Sequence, residues 1–127
     1  SKGRCVCYLE DVHSIFGVAA KATFNFGKIV GQTQAVLTCC DIPFILVQPK
    51  EWQKCVWDEL DKVYLPEKLN KKGKTVKPRI DTKATSSNAF KRLFPDVDIP
   101  ANRNGVLHDG VVDSMLIMKY GLLNNEV

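Results

Sequence analysis

Apolar and polar positions fall into short blocks along this chain, and their spacing changes from block to block. Cys5-Val6-Cys7-Tyr8-Leu9 alternates loosely, is rich in β-formers and stops at Glu10, which predicts a strand. Residues 11–22 read as a small-residue connection carrying His13 and Gly17. A helix is predicted over residues 23–40, with Thr23 or Asn25 at its N-cap. Gly27, Gly31 and Ala35 recur inside it at four-residue steps. Glycine costs a helix about 1 kcal/mol against alanine. Two glycines in register therefore predict a face that approaches another backbone closely.

Asp41-Ile42-Pro43 reads as a turn, and Phe44-Ile45-Leu46-Val47 as a short strand buried on both faces, as in a sheet covered by helices. Pro49 opens a further helix, with Trp52, Val56, Leu60 and Val63 as its apolar stripe. Trp52 and Trp57 read as core residues rather than base-stacking platforms. Residues 66–84 lack periodicity and form a long loop. A helix over residues 85–94 buries Phe90, Leu93 and Phe94 and ends at Pro95. After a loop containing Pro100, Asn102, Asn104 and Gly105, the last helix is predicted over residues 109–120, with Gly121 as its C′ residue. The order predicts an α/β layer in a single domain, residues 1–127, without internal repeats.

Composition adds limits. The chain has 127 residues, 45% of them apolar and 25% charged, as expected of a soluble globular domain. No apolar run is long enough to span a bilayer, and the apolar stretch after Arg4 is too short for a secretory signal. The expectation is an intracellular, non-secreted protein without a membrane partner. Cys5, Cys7, Cys39, Cys40 and Cys55 lack zinc-finger spacing and read as small buried residues in a reducing compartment.

Charge adds more. The formal net charge is +4, and Lys68, Lys71, Lys72, Lys74, Lys77, Arg79, Lys83, Lys91 and Arg92 supply nine of the eighteen basic residues. Asp81 is the single acid among them. Such a block is either a solvated loop or a grip for phosphates. Its meaning depends on the acids that follow it. Asp109 and Asp113 are four residues apart where a loop becomes an apolar helix, so they share one helix face. Two acids on one face repel, and a divalent cation such as Mg²⁺ relieves that repulsion. Taken singly, Asp109 also suits a helix cap. Asp113 is harder to dismiss, because it follows Val111-Val112 a turn into the apolar helix.

The order of motifs resembles the RuvC-like nucleases, the phage and bacterial Holliday-junction resolvases of ribonuclease H fold. The likeness lies in Tyr8-Leu9-Glu10, in Phe24-Asn25-Phe26-Gly27-Lys28-Ile29-Val30-Gly31, and in Ile42-Pro43-Phe44 through Pro49-Lys50-Glu51-Trp52-Gln53-Lys54. It continues in Ser87-Asn88-Ala89 through Leu93-Phe94-Pro95 and in His108-Asp109-Gly110-Val111-Val112-Asp113. The resemblance implies a mixed sheet flanked by helices. It also implies a structure-selective endonuclease that resolves branched DNA in recombination and repair, using Mg²⁺ or Mn²⁺ and acting as a homodimer. Its metal ligands would be Glu10, Asp109 and Asp113, with His108 assisting a ligand or orienting water. Lys71, Lys72, Lys74, Lys77 and Arg79 would line the DNA path, with Lys91 and Arg92 behind them. One family feature has no counterpart here: the Asp-x-Gly strand that carries the first catalytic aspartate. Three expectations stand side by side: an active nuclease, a DNA-binding module that does not cut, and one half of a split nuclease whose N-terminal strands lie on a second chain.

Overall fold

In the computed structural model, residues 3–13, 17–67, 70–74 and 76–124 are described, so Lys68 of the basic block lies outside the described residues. Cys7–Glu10 (β1) and Phe44–Val47 (β2) pair as a parallel two-stranded sheet, Cys7 opposite Phe44 and Glu10 opposite Val47. Parallel strands need a long crossover. Here it contains Ala20–Cys39 (α1). These elements form one of two compact units, Ser1–Glu51. The α/β class expected from the sequence holds: four helices accompany this small parallel sheet among the described residues.

α1 begins three residues earlier than Thr23, with Ala19 at its N-cap and no side-chain cap. Its end is firmly made. The Ile42 amide donates to the Leu37 carbonyl at 2.9 Å and the Asp41 amide to that of Thr38 at 3.1 Å. Asp41 sits at φ +54°. This is the Schellman arrangement, with an aspartate in the left-handed position that glycine usually takes. The glycine face differs from expectation. A Cβ added at Gly27 or Gly31 meets nothing within 4 Å, and no α1 residue is buried. The two glycines therefore accommodate no neighbouring backbone among the described residues. The expected outcome is that Gly27→Ala and Gly31→Ala each raise stability by about 0.5–1 kcal/mol, read as a higher midpoint in thermal unfolding followed by circular dichroism.

Pro49–Val56 (α2) crosses the boundary between the two units. The second unit, Trp52–Val127, also contains Thr82–Leu93 (α3) and Asp109–Asn124 (α4). Its core is Trp52, Val56, Ala89, Phe90, Val112, Leu116 and Ile117. Trp52 and Trp57 meet edge to face, 6.2 Å between ring centres, and the Trp57 indole donates to Ser86 Oγ at 3.1 Å. β2 is not buried on both faces as expected, since Ile45 and Leu46 are exposed. Three further sequence expectations need correction. The stripe Trp52, Val56, Leu60, Val63 is broken, because α2 stops at Val56 and a 3₁₀ turn, Glu59–Asp61, leaves Leu60 92% exposed. Gly121 does not end α4 but lies buried inside it, where packing outweighs glycine's poor propensity. Cys5, Cys39, Cys40 and Cys55 are exposed rather than buried, and Cys7 is half-buried.

The broken stripe has a physical cause. Asp61, not Leu60, turns inward and is 4% exposed. Its carboxylate accepts from Arg92 Nε at 3.1 Å, from Arg92 Nη2 at 2.8 Å and from the Asp58 amide at 2.8 Å. Arg92 Nη2 also donates to the Val56 carbonyl at the end of α2, and Asn88 Nδ2 donates to the Asp61 carbonyl. The Arg92 hydrogen bonds hold the Asp61 carboxyl below the ordinary aspartate range, against the opposing effect of burial. A carboxyl depressed in this way stabilises the fold above its unfolded pKa, near 4, and that contribution is lost as pH falls through the folded value. Removing Arg92 strands a buried charge. Arg92→Ala is expected to cost about 3 kcal/mol at neutral pH, and its deficit against wild type should shrink below about pH 4, as measured by urea unfolding across pH.

Candidate active site

α3 and α4 pack against each other, and a cleft of about 790 Å³ opens along them within the second unit. His108, Asp109 and Asp113 line it, together with Asp81, Lys83 and Asn88. The sequence explains how the acids arrive there. The His108 amide donates to the Pro100 carbonyl at 3.0 Å, which anchors the start of α4. The His108 carbonyl takes the first helical bond, from the Val112 amide at 3.1 Å. Its Nδ1 accepts from the Val111 amide at 3.4 Å. His108, and not Asp109, thus occupies the N-cap. The acceptor role of Nδ1 assigns the ring proton to Nε2. A Cβ at Gly110 would lie 3.3 Å from the exposed His108 ring, which would have to give by a few tenths of an ångström. Asp109 then falls in the first turn, where the helix dipole favours a negative charge. Asp113 follows one turn later on the same cleft wall.

α3 supplies the opposite charge. Asp81 caps it by accepting from the Ala84 amide at 3.1 Å. Two residues into the same turn, Lys83 Nζ lies 3.2 Å from Asp109 Oδ2. This contact is the main reason that Asp109 titrates below the ordinary aspartate range, with smaller help from the Gly110 amide. The cleft wall therefore presents a cation already paired with one of the two helix acids.

Glu10 belongs to the first unit, half-buried at the end of β1. Lys71, Lys72, Lys74, Lys77 and Arg79 are exposed on the long loop, and Lys91 is exposed on α3. Arg92 is engaged by Asp61 and Val56. Asp81, Lys83, Asn88 and Asn102 line the cleft, although the sequence did not mark them as site residues. A usable signal was the polar run Thr85-Ser86-Ser87-Asn88, unusual in the middle of an amphipathic helix. Thr85 and Ser86 are buried there, satisfied by the Val63 amide and the Trp57 indole.

Asp109 and Asp113 offer hard oxygen donors one turn apart. Among the described residues no group of three or more His, Cys, Asp and Glu side chains gathers to hold a metal. The pair suits Mg²⁺ rather than a fully protein-caged ion, because Mg²⁺ keeps several waters and takes one or two carboxylates. No helix among the described residues is long and apolar enough to cross a membrane. No family model, curated protein or solved structure matches the chain. The charge arrangement is directly testable. Replacing Lys83 by Met should move the Asp109 carboxyl up toward its ordinary value, read by carbon-detected NMR titration of the aspartate carboxyls.

Proposed function

We propose that this chain is a metal-dependent endonuclease of the RuvC-like, ribonuclease H-like type, acting on branched DNA. The observation that supports this reading most is the company of Asp109, Asp113 and His108 on one cleft wall, with Lys83 beside them. Asp109 and Asp113 would hold Mg²⁺ or Mn²⁺, which when bound activates water and offsets charge on the phosphate. Lys83 contributes a cation close to the Asp109 carboxylate, suited to a phosphate oxygen as charge builds on it. His108, with its proton on Nε2, is able to donate to a phosphate or water oxygen. The exposed lysines of the long loop supply attraction to the DNA backbone. Glu10, on the first unit, is the further acid that the resemblance implies. A homodimer would present two such sites to the two-fold symmetry of a four-way junction.

A second reading, a DNA-binding module that does not cut, draws on a specific contact. Lys83 already neutralises Asp109, and no third ligand joins the pair among the described residues. One experiment separates the two. A nuclease nicks a labelled four-way junction in Mg²⁺ and loses that activity in Asp113→Asn while still binding the junction. A module binds with steep salt dependence, is indifferent to Mg²⁺, and leaves the junction intact at any protein concentration.

A further inference from the structure

Two loops in the second unit are built on the same plan. In residues 70–74, the Asn70 side chain accepts from the Lys72 and Lys74 amides at 2.9 Å each, the Gly73 amide donates to the Asn70 carbonyl, and Gly73 sits at φ +73°. In residues 102–106, the Asn102 side chain accepts from the Asn104 amide at 2.9 Å and the Val106 amide at 3.0 Å. The Gly105 amide donates to the Asn102 carbonyl, and Gly105 sits at φ +76°. Each is an Asn-x-x-Gly-x tip whose turn amides are satisfied internally, so the residues between Asn and Gly are held on the outside of a stiff bend.

The second tip lines the candidate active site, and the residues that flank the first loop line it too. The first loop is closed by an antiparallel bridge between Tyr64 and Ile80, and Val63 and Asp81 beside that bridge line the cleft. The second is closed by a bridge between Ala101 and Leu107, both of which line it. The outer positions are cationic on both tips: Lys71 and Lys72 on one, Arg103 on the other. All three side chains are exposed and make no ion pair among the described residues. Charge spent on solubility alone does not need a preordered tip, whereas a phosphate contact gains from one, because less freedom is lost on binding.

We propose that the tip at residues 102–106 is a second DNA-gripping prong, with Arg103 as its phosphate contact, acting together with Lys71 and Lys72 on the first. This rests on the nucleic-acid reading above and adds to it a residue outside the basic block. Arginine suits the role because its planar fork pairs with two phosphate oxygens at once.

The test is fluorescence-anisotropy titration of a labelled four-way junction over a range of salt, without divalent metal, with thermal melting to confirm that each variant folds. Arg103→Ala is expected to bind roughly three- to tenfold more weakly at ~0.1 M salt, with a salt slope lower by about one. Lys71→Ala/Lys72→Ala should lower the slope by about two. Gly105→Val keeps every charge but strains the left-handed bend, and should weaken binding as well. If Arg103→Ala matches wild type while the double lysine variant is weakened, the second prong is overturned and the nucleic-acid reading stands. If wild type itself fails to bind the junction, that reading falls and the proposal with it. Unchanged binding by Gly105→Val would overturn the role of the stiff tip.

Discussion

The ion pair between Asp61 and Arg92 is the contact on which the second unit turns. It joins the end of α2, the 3₁₀ turn and the last turn of α3 through one carboxylate and one guanidinium. A carboxylate that is 4% exposed is tolerable only when its oxygens are filled by donors, and here two Arg92 nitrogens and the Asp58 amide fill them. The arrangement fixes where the helix stops, which residue of the turn faces inward, and the position along its axis at which α3 is anchored. Because α3 carries Lys83 and Asn88 into the cleft, this structural pair also sets one wall of the candidate site.

The other wall depends on a different device. His108 is bonded through its backbone to Pro100 and through its ring to the Val111 amide, so the entry to α4 is held on two sides. That hold delivers Asp109 and Asp113 to the cleft on successive turns. Lys83 pairs with Asp109 there at 3.2 Å. An exposed pair of this kind contributes little to stability, so its interest is electrostatic: it decides how much negative charge the wall presents to a cation or a phosphate. The wall thus carries two carboxylates, one of them already paired with a lysine.

Parts of this were legible in the chain. The apolar runs at residues 7–10 and 44–47 carried enough β-forming residues to identify the two strands, and the i, i+4 spacing placed Asp109 and Asp113 on a common face before any packing was known. Periodicity failed at Leu60 because spacing cannot weigh an aspartate that finds an arginine thirty-one residues away. It failed at Gly27 and Gly31 because a small residue permits a close neighbour without requiring one. Arg92 read as one more member of a basic block, since composition does not distinguish a cation in solvent from one holding a buried acid.

What the sequence determined by itself was local: the element types, the acids at the start of α4, and the asparagine–glycine spacing that makes each tip a tight bend. These follow from interactions within a few residues, which the order of side chains specifies directly. Tertiary structure alone decided that Asp61 goes inside and Leu60 outside, that Lys83 meets Asp109, and that residues flanking the loop at 64–80 line one cleft with the loop at 101–107. Each of those outcomes pairs groups distant along the chain, and such pairing is chosen by competition for burial and for charge partners once the helices have packed.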